Sequence, residues 1–322
     1  EDEKHLQFGL AHNVEIVAVS FVQNKDDIKR ARSLAAKYGN GRDVFIVAKI
    51  EKSEAVQNLG QIVQESDGVM VARGDLGVEL NLERVPIVQK VIIQEANRLG
   101  KPVITATQML ESMVTSPTPT RAEVTDTANA IIDGSDALML AEETAIGKYP
   151  VEAVEVLTRV AEETERYLPK EVTANRRAWS EHSKEDALAL AACETAVQIG
   201  ARAIVAATRT GKTARRVSKY RSPLPIVALA YRPLVQRQLL LSWGVHPVGT
   251  KEVGSTEEIF DAAETAVVSL GLAKGGDRIG IIAGDPSGPS GGTEILKIQT
   301  VGRPSKRRTN PTSSKELSAT PE

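Results

Sequence analysis

The sequence has few aromatic residues, one cysteine, almost no net charge and no long apolar segment. Phe, Trp and Tyr make up 3% of its 322 residues, so aliphatic side chains must build its cores, as in helix-covered parallel sheets. Cys193 cannot form an internal disulfide, and we interpret it as a core residue of a cytoplasmic protein. The net charge of −2 gives no indication of a nucleic-acid or membrane partner. No apolar run approaches the ~18 residues of a transmembrane helix, and we recognise no signal peptide.

Alternating strand and helix patterns in the first half of the chain predict five βα units. This fold class is α/β, a partial (β/α)₈ TIM barrel, because a closed barrel needs eight such units. The predicted strands are Val14–Val22, Val44–Glu51, Gly68–Ala72, Val103–Thr107 and Ala137–Leu140. The predicted helices cover about Asp26–Tyr38, Ser53–Glu65, Leu82–Leu99, Arg121–Asp133 and Val151–Tyr167. Thr120 and Glu123 form a capping-box pattern, and helix initiation accounts for both.

A second α/β region follows a polar stretch, Lys170–Lys184. Its predicted strands are Ala203–Thr208, Pro225–Ala230, His246–Gly249 and Arg278–Ala283, with helices at Glu185–Ile199, Lys212–Tyr220, Leu234–Trp243 and Thr256–Leu270. Glu294–Val301 should pair as an antiparallel edge strand. We therefore predict a catalytic barrel domain over residues 1–168, an α/β C-terminal domain over 169–302 and a disordered tail over 303–322.

Polar residues follow several predicted barrel strands at the same end. Lys49 and Glu51 lie two residues apart on one strand and must project from the same side of the sheet. Such a pair can hold a divalent metal beside a phosphate, although an ordinary exposed ion pair is the alternative. Asp75 lies in a turn after the third strand. Thr107 ends the fourth, where a β-branched strand-end residue is the structural alternative.

Five segments, in order, carry a resemblance to the pyruvate kinase family. They are VAKIEKSEAV, MVARGDLGVEL, ITATQMLESM, PTPTRAEVTDTANAIIDGSDALML and ETAIGKYP. The resemblance extends from about residue 4 to residue 301 and covers barrel strands four to eight plus the C-terminal regulatory domain. It implies transfer of the phosphoryl group of phosphoenolpyruvate to ADP, giving ATP and pyruvate. It also implies a homo-oligomer, a tetramer in this family.

The resemblance assigns roles to particular residues. Lys49 would stabilise the transferring phosphoryl group, while Glu51 and Asp75 would bind Mg²⁺ (or Mn²⁺). The backbone amides of Gly74 and Asp75 would hold the substrate carboxylate. Thr107 would contact the substrate on its enolate side, as a positioning group or a link to the proton donor.

The C-terminal TRTGKT segment follows a strand and opens a helix, so it is a candidate site for a phosphorylated allosteric effector. A capped helix start is the alternative. The candidate effector residues are Thr208, Arg209, Thr210, Gly211, Lys212 and Thr213. The glycine-rich loop Gly284–Gly292 is positioned in the sequence to close over them.

Two departures from the family pattern affect what this chain should do. Ala141 and Glu142 stand where the family usually has a serine and a glycine or alanine, which adds a carboxylate near the barrel mouth. The family's first three barrel strands, its lid domain, its K⁺ ligands and a phosphate-binding arginine are not among these 322 residues. We therefore expect little activity from this chain alone.

Two other functions fit parts of the pattern. One is a catalytically inactive relative that serves as an effector-binding or assembly module. The other is an Mg²⁺-dependent pyruvate lyase or aldolase, against which the TRTGKT region argues. Metal-dependent ATP formation from phosphoenolpyruvate and ADP would separate the three.

Overall fold

The structure is a computed structural model, and it describes residues 1–168, 183–284 and 292–302. Two five-stranded sheets form its framework, the first ordered β1-β2-β3-β4-β5 and the second β10-β9-β6-β7-β8. The predicted α/β class, with five βα units and a separate second α/β region, is confirmed. The polar stretch before residue 183, most of the 284–292 loop and the tail lie outside the described residues, so the domain boundaries stay predictions.

All neighbouring strands of the first sheet are parallel. Helices follow each strand, as parallel crossovers require. The strands are β1 Ile16–Val19, β2 Phe45–Ile50, β3 Gly68–Ala72, β4 Val103–Ala106 and β5 Ala137–Met139. The helices are α1 Asp2–Ala11, α2 Lys25–Tyr38, α3 Ser53–Gln57, α4 Leu59–Glu65, α5 Arg73–Glu79, α6 Val85–Arg98, α7 Arg121–Asp133, α8 Glu142–Ala145 and α9 Pro150–Arg166.

The second sheet is parallel except for β10, which pairs antiparallel with β9 at the edge, as predicted. Its strands are β6 Ile204–Thr208, β7 Ile226–Ala230, β8 Val245–Gly249, β9 Arg278–Ala283 and β10 Ile295–Thr300. Its helices are α10 Lys184–Gln198, α11 Lys212–Lys219, α12 Pro233–Leu239 and α13 Thr256–Ser269. Cys193 lies buried in α10, and burial raises the pKa of its thiol to about 12, as expected for an unreactive core residue.

The helices differ from the sequence prediction in several places. Helix α5 follows β3 where a turn was predicted, and α12 ends at Leu239, although the prediction extended it to Trp243. The helix predicted over 53–65 is broken at Asn58, and the one predicted from Leu82 begins as a 3₁₀ turn before Val85. Helices α1 and α8 were not predicted, because α1 buries only Leu10 and α8 has just four residues. Too few buried apolar positions remain in either helix to produce a helical period.

Alternation along β2 divides the first sheet into two faces. Ile46, Ala48 and Ile50 pack beneath the helices in the main core of this region. Phe45 and Val47 face the opposite side, the inner side of a barrel-type sheet, where they form a smaller cluster. Lys49 has the same parity as Phe45 and Val47, so the strand delivers it to the inner face at its carboxyl end.

The second region packs against the amino ends of the first region's strands. Gln238 donates a hydrogen bond to the carbonyl of Asp43, just before β2, at 2.9 Å. Arg221 forms an ion pair of 2.8 Å with Asp136, just before β5. The contact surface between the regions therefore lies at the end of the first sheet opposite Lys49. In the described part of the chain, no helix is long and apolar enough to cross a membrane.

Candidate active site

The Lys49–Glu51 pair lies at the carboxyl end of β2 and is held by backbone and side-chain contacts. The ammonium of Lys49 contacts Glu51 Oε1 and also donates to Ser20 Oγ at 3.0 Å. Glu51 is 2% exposed, whereas Lys49 keeps 25% of its side chain exposed. The predicted common orientation of the two side chains is confirmed. An ordinary surface ion pair is not consistent with a carboxylate buried to this degree.

Glu51 has a second partner that the sequence did not indicate. The backbone N–H of Phe21 donates to Glu51 Oε2 at 2.7 Å, and Phe21 adopts a positive φ of 55°. This left-handed conformation is uncommon for a bulky side chain and marks a locally constrained backbone. The end of β1 is thereby fixed against the end of β2, and the Glu51 carboxylate is held in a single orientation.

Asp75 lies in the first turn of α5, directly after β3, and its side chain is exposed. Among the described residues its carboxylate makes no hydrogen bond or ion pair. Within the same residues, no cluster of three or more His, Cys, Asp and Glu side chains could enclose a metal ion. Glu51 directly follows β2 and Asp75 follows β3, the neighbouring strand, so the two carboxylates lie at the same end of the sheet. The assignment of both to one Mg²⁺ stays a prediction; two carboxylates would suit that ion because it keeps several water or substrate ligands.

Thr107 connects the ends of β3 and β4. Its hydroxyl accepts a hydrogen bond from the Gly74 N–H at 2.8 Å and donates to the Ala106 carbonyl at 2.6 Å. A substrate carboxylate at the predicted amide site would therefore compete with Thr107 for the Gly74 N–H. Thr107 and Gln108 both have positive φ values, 64° and 54°.

Arg73 supports this strained backbone and was not singled out from the sequence. Its side chain is 7% exposed, and Nη2 donates to the carbonyls of Thr107 at 2.8 Å and Gln108 at 2.7 Å. Its Nη1 pairs with Asp126 on α7. An arginine directly after a buried strand is the one sequence signal that pointed here. By fixing two carbonyls, Arg73 positions the Thr107 hydroxyl.

The two glutamates after β5, Glu142 and Glu143, have different surroundings. Glu142 is exposed, whereas Glu143 is 2% exposed. Glu143 accepts hydrogen bonds from the backbone N–H groups of Leu110 at 2.9 Å and Ala141 at 2.8 Å. Glu143 therefore connects the backbones of the two loops that contain Leu110 and Ala141. Glu142 is exposed to solvent.

The TRTGKT segment forms the turn between β6 and α11. The Gly211 N–H donates to Thr208 Oγ1 at 2.8 Å, and Gly211 has a φ of 83°, which a side chain would strain. Thr213 and Thr293 share a hydrogen bond of 3.1 Å between their hydroxyls. The turn thus places the hydroxyls of Thr208 and Thr213 near the start of α11. Thr293 follows the loop segment that lies outside the described residues.

The remaining side chains of this turn have individual contacts. The partly exposed Arg209 pairs with Glu252 at 3.2 Å. The Thr210 carbonyl accepts a hydrogen bond from Arg215 Nη2 at 2.9 Å. Lys212 opens α11.

Comparison with known proteins identifies the family. The family model "Pyruvate kinase, barrel domain" matches residues 1–154, and "Pyruvate kinase, alpha/beta domain" matches residues 186–299. The chain therefore belongs to the pyruvate kinase family, as the sequence motifs indicated.

Curated relatives and a solved structure agree with this assignment. The chain is 43% identical to a pyruvate kinase of Clostridium acetobutylicum over 94% of its own length and 64% of that protein's. It is 46% identical to pyruvate kinase 2 of Synechocystis sp., over 94% and 50% of the two lengths. A crystal structure of a pyruvate kinase from Cryptosporidium parvum superposes with a TM-score of 0.86 at 37% identity, covering 93% of this chain and 61% of the other. The chain thus spans about half to two thirds of the proteins it matches.

Proposed function

We propose that this chain carries the metal-binding and phosphoryl-binding part of a pyruvate kinase. In this reaction the P–O bond of phosphoenolpyruvate breaks, ADP accepts the phosphoryl group, and the resulting enolate takes a proton to become pyruvate. The buried Glu51 carboxylate in contact with Lys49 is the observation that favours this proposal. It brings an anionic metal ligand and a cation to one strand end, as phosphoryl transfer requires.

The proposed role of each side chain follows from its charge. Glu51 and Asp75 would hold the Mg²⁺ or Mn²⁺, which neutralises charge on the substrate oxygens. Lys49, which pairs with Glu51 in the structure, would turn its ammonium to the transferring phosphoryl oxygens once that carboxylate binds the ion. Gly74, Asp75 and Thr107 would hold the carboxylate and enolate side of the substrate.

Binding of Mn²⁺ to the 322-residue chain tests the metal site without requiring turnover. We expect Glu51→Gln and Asp75→Asn each to weaken Mn²⁺ binding, measured by electron paramagnetic resonance with phosphoenolpyruvate present, by at least ~10-fold. Glu142→Gln is the matched control, because Glu142 is an exposed carboxylate that follows β5 at the same end of the sheet. Equal binding by wild type and the Glu51 and Asp75 variants would remove both carboxylates from the site.

Turnover depends on more than these residues. The lid, the K⁺ ligands and the phosphate-binding arginine of the family pattern are not among the 322 residues, and preorganisation supplies most of the rate in phosphoryl transfer. We therefore expect the chain alone to show little ATP formation in a coupled assay. Turnover at about 1 to 100 per second, the usual range for kinases, would contradict this expectation.

We further propose that Thr208–Thr213 binds a phosphorylated effector. The turn offers hydroxyl groups, the exposed Lys212 and the start of α11 within a few residues. Arg209, which is partly exposed and pairs with Glu252, adds a second cation. Thermal-shift measurements with a panel of sugar phosphates and nucleotides test this. Stabilisation that disappears in Lys212→Ala but persists in Lys274→Ala would support the site. No stabilisation by any compound would leave the turn as a simple helix start.

We also propose that the protein is cytoplasmic and that it self-associates. Val78, Leu82 and Ile87, on and beside α5 and α6, are 87%, 73% and 61% exposed. Large apolar side chains exposed together are typical of protein interfaces. A homo-oligomer, the tetramer implied by the family, would cover them. A mass measurement by light scattering that finds only monomer would contradict this.

A further inference from the structure

Arg215, in α11, is attached to the TRTGKT turn of the second region. Its Nη2 donates a hydrogen bond to the Thr210 carbonyl at 2.9 Å. A Cβ built on Gly211 would lie 2.6 Å from Nη1 of the same guanidinium, so the guanidinium packs against the turn and leaves no room for a side chain at position 211. The peptide between Thr210 and Gly211 and the guanidinium of Arg215 are therefore fixed against each other.

The same guanidinium also contacts the first region. Its central carbon lies 5.5 Å from the centre of the Phe45 ring, at the start of β2, which is within the range of a cation–π contact. Phe45 is 4% exposed. Arg215 Nη1 is buried and has no hydrogen-bond partner among the residues that the structure describes. A cation–π contact is stronger when water is excluded from it, as it is here.

Two carboxylates of the first region attract the charge of Arg215. Burial lowers the pKa of the guanidinium, and Asp67 and Asp43 oppose that change. Asp43 lies two residues before β2. Asp67 accepts a hydrogen bond from the Ile46 N–H of β2 at 2.9 Å. The ring contact and both counter-charges of Arg215 are therefore found around the amino end of one strand, β2.

Strand β2 connects this contact to the candidate active site. Phe45 and Val47 lie on the inner face of the strand, and Lys49 has the same parity. Glu51 directly follows the last residue of β2. A contact that holds the amino end of β2 thus acts on the strand whose carboxyl end carries the Lys49–Glu51 pair.

We propose that Arg215 couples the TRTGKT turn to β2, so that a phosphate group bound at the turn strengthens the Arg215–Phe45 contact and holds β2 more firmly. This inference rests on the proposed effector site. A bound phosphate would fix the turn, including the peptide whose carbonyl Arg215 holds, and its negative charge would attract the guanidinium. Because coupling between two sites is reciprocal, the Arg215–Phe45 contact must strengthen phosphate binding by the same factor.

The reciprocal effect provides the first test, with inorganic phosphate as the probe and the 322-residue chain as the protein. Phe45→Leu should weaken phosphate binding by about 2- to 5-fold, as expected for the loss of one cation–π contact, although Phe45 lies in the other region. Val47→Ala is the matched control, because Val47 belongs to the same inner-face cluster, and it should leave the binding unchanged. Phosphorus NMR titration at constant ionic strength measures the binding.

Hydrogen exchange measures the coupling in the opposite direction. Saturating phosphate should slow exchange of the amides of residues 45–49 by about 2- to 5-fold relative to gluconate at equal ionic strength. Arg215→Met should lose this protection. Arg237→Met should keep it, because Arg237 pairs with Glu15 across the same boundary but lies in α12, away from the turn. The arginine comparison decides the question even if Phe45→Leu does not fold.

The outcomes separate this inference from the effector site on which it rests. Phosphate binding that is lost in Lys212→Ala but changes neither with Phe45→Leu nor the exchange of β2 would overturn the coupling alone. Equal weakening by Val47→Ala and Phe45→Leu would also overturn it, because packing of β2 rather than Arg215 would then be responsible. Absence of phosphate binding, or binding that Lys212→Ala leaves intact, would overturn the effector site and this inference together.

Discussion

The two sheets differ in how their faces are covered. In the second sheet β6 and β7 are buried along their whole length, and apolar clusters pack on both faces. In the first sheet one face carries a large core beneath the helices, while the other carries a small cluster around Phe45 and Val47. Its edge strands β1 and β5, as described here, contain no buried residue.

This difference assigns different roles to the two sheets: the second contributes mainly to folding stability, and the open end of the first carries the candidate active site. A sheet covered on both faces buries most of its apolar surface and has little room for exposed functional groups. A partly open face instead keeps Lys49 and Asp75 accessible at the strand ends, where a substrate can reach them. We therefore expect substitutions in the second sheet to affect folding, and substitutions at the open end of the first sheet to affect turnover.

The largest effect should come from Lys49. In a full-length pyruvate kinase containing this region, Lys49→Met should reduce kcat by about 10³-fold, because the ammonium acts on charge that develops in the transition state. Binding of phosphoenolpyruvate should change little. Steady-state kinetics would show this, with Lys148→Met, an exposed lysine at the same end of the sheet, as the control. An unchanged kcat would remove Lys49 from the mechanism.

The contact between the regions should show the next largest effect. Arg221 is 4% exposed and pairs with Asp136, and it also donates to the Gly134 carbonyl at 2.7 Å. Arg221→Met should lower the free energy of unfolding by about 3 kcal/mol, because it leaves Asp136 buried without its counter-charge. Urea denaturation measures this. Arg166→Met, which breaks an exposed pair, should cost less than about 1 kcal/mol.

A matched pair of isoleucines tests the two sheets directly. Ile281 in β9 is fully buried, whereas Ile104 in β4 is partly buried on the open face. Ile281→Ala should cost about 2 kcal/mol more than Ile104→Ala, because a larger cavity remains in a closely packed core. Urea denaturation, with hydrogen exchange assigning the loss to each sheet, would measure both. Equal costs would mean that the two sheets are packed equally well.

The smallest effect should come from the capping box at α7. Burial tends to raise the pKa of Glu123, but hydrogen bonds from Ser112 and Thr120 outweigh burial and lower it. Its stabilising contribution is complete above the ordinary glutamate pKa of about 4.3 and is lost as the pH falls through the lower pKa of the folded state.

Glu123→Gln should therefore cost about 1 kcal/mol at pH 7. The difference between this variant and the wild type should shrink as the pH falls below about 4. Urea denaturation at a series of pH values measures both quantities. A penalty that does not depend on pH would show that the charge of Glu123 contributes nothing.

The sequence alone determined the features that depend on local periodicity. Alternation in β2 placed Lys49 and Glu51 on one side, because neighbouring odd positions of a strand share a face. The capping box at Thr120 and the antiparallel edge strand were likewise predicted, since each follows from a short pattern. The family resemblance supplied the assigned roles of Asp75, Thr107 and the TRTGKT turn, and these stay predictions.

Only the tertiary structure decided which distant groups meet. The Phe21 amide reaches Glu51 because the backbone at Phe21 takes a left-handed conformation after β1. Arg73 binds the Thr107 carbonyl across 34 positions of the chain. Arg221 and Asp136, separated by 85 positions, meet between the two regions. Such contacts depend on how whole helices and strands pack against one another. A local pattern of residues carries no information about which distant parts of the chain come close in space.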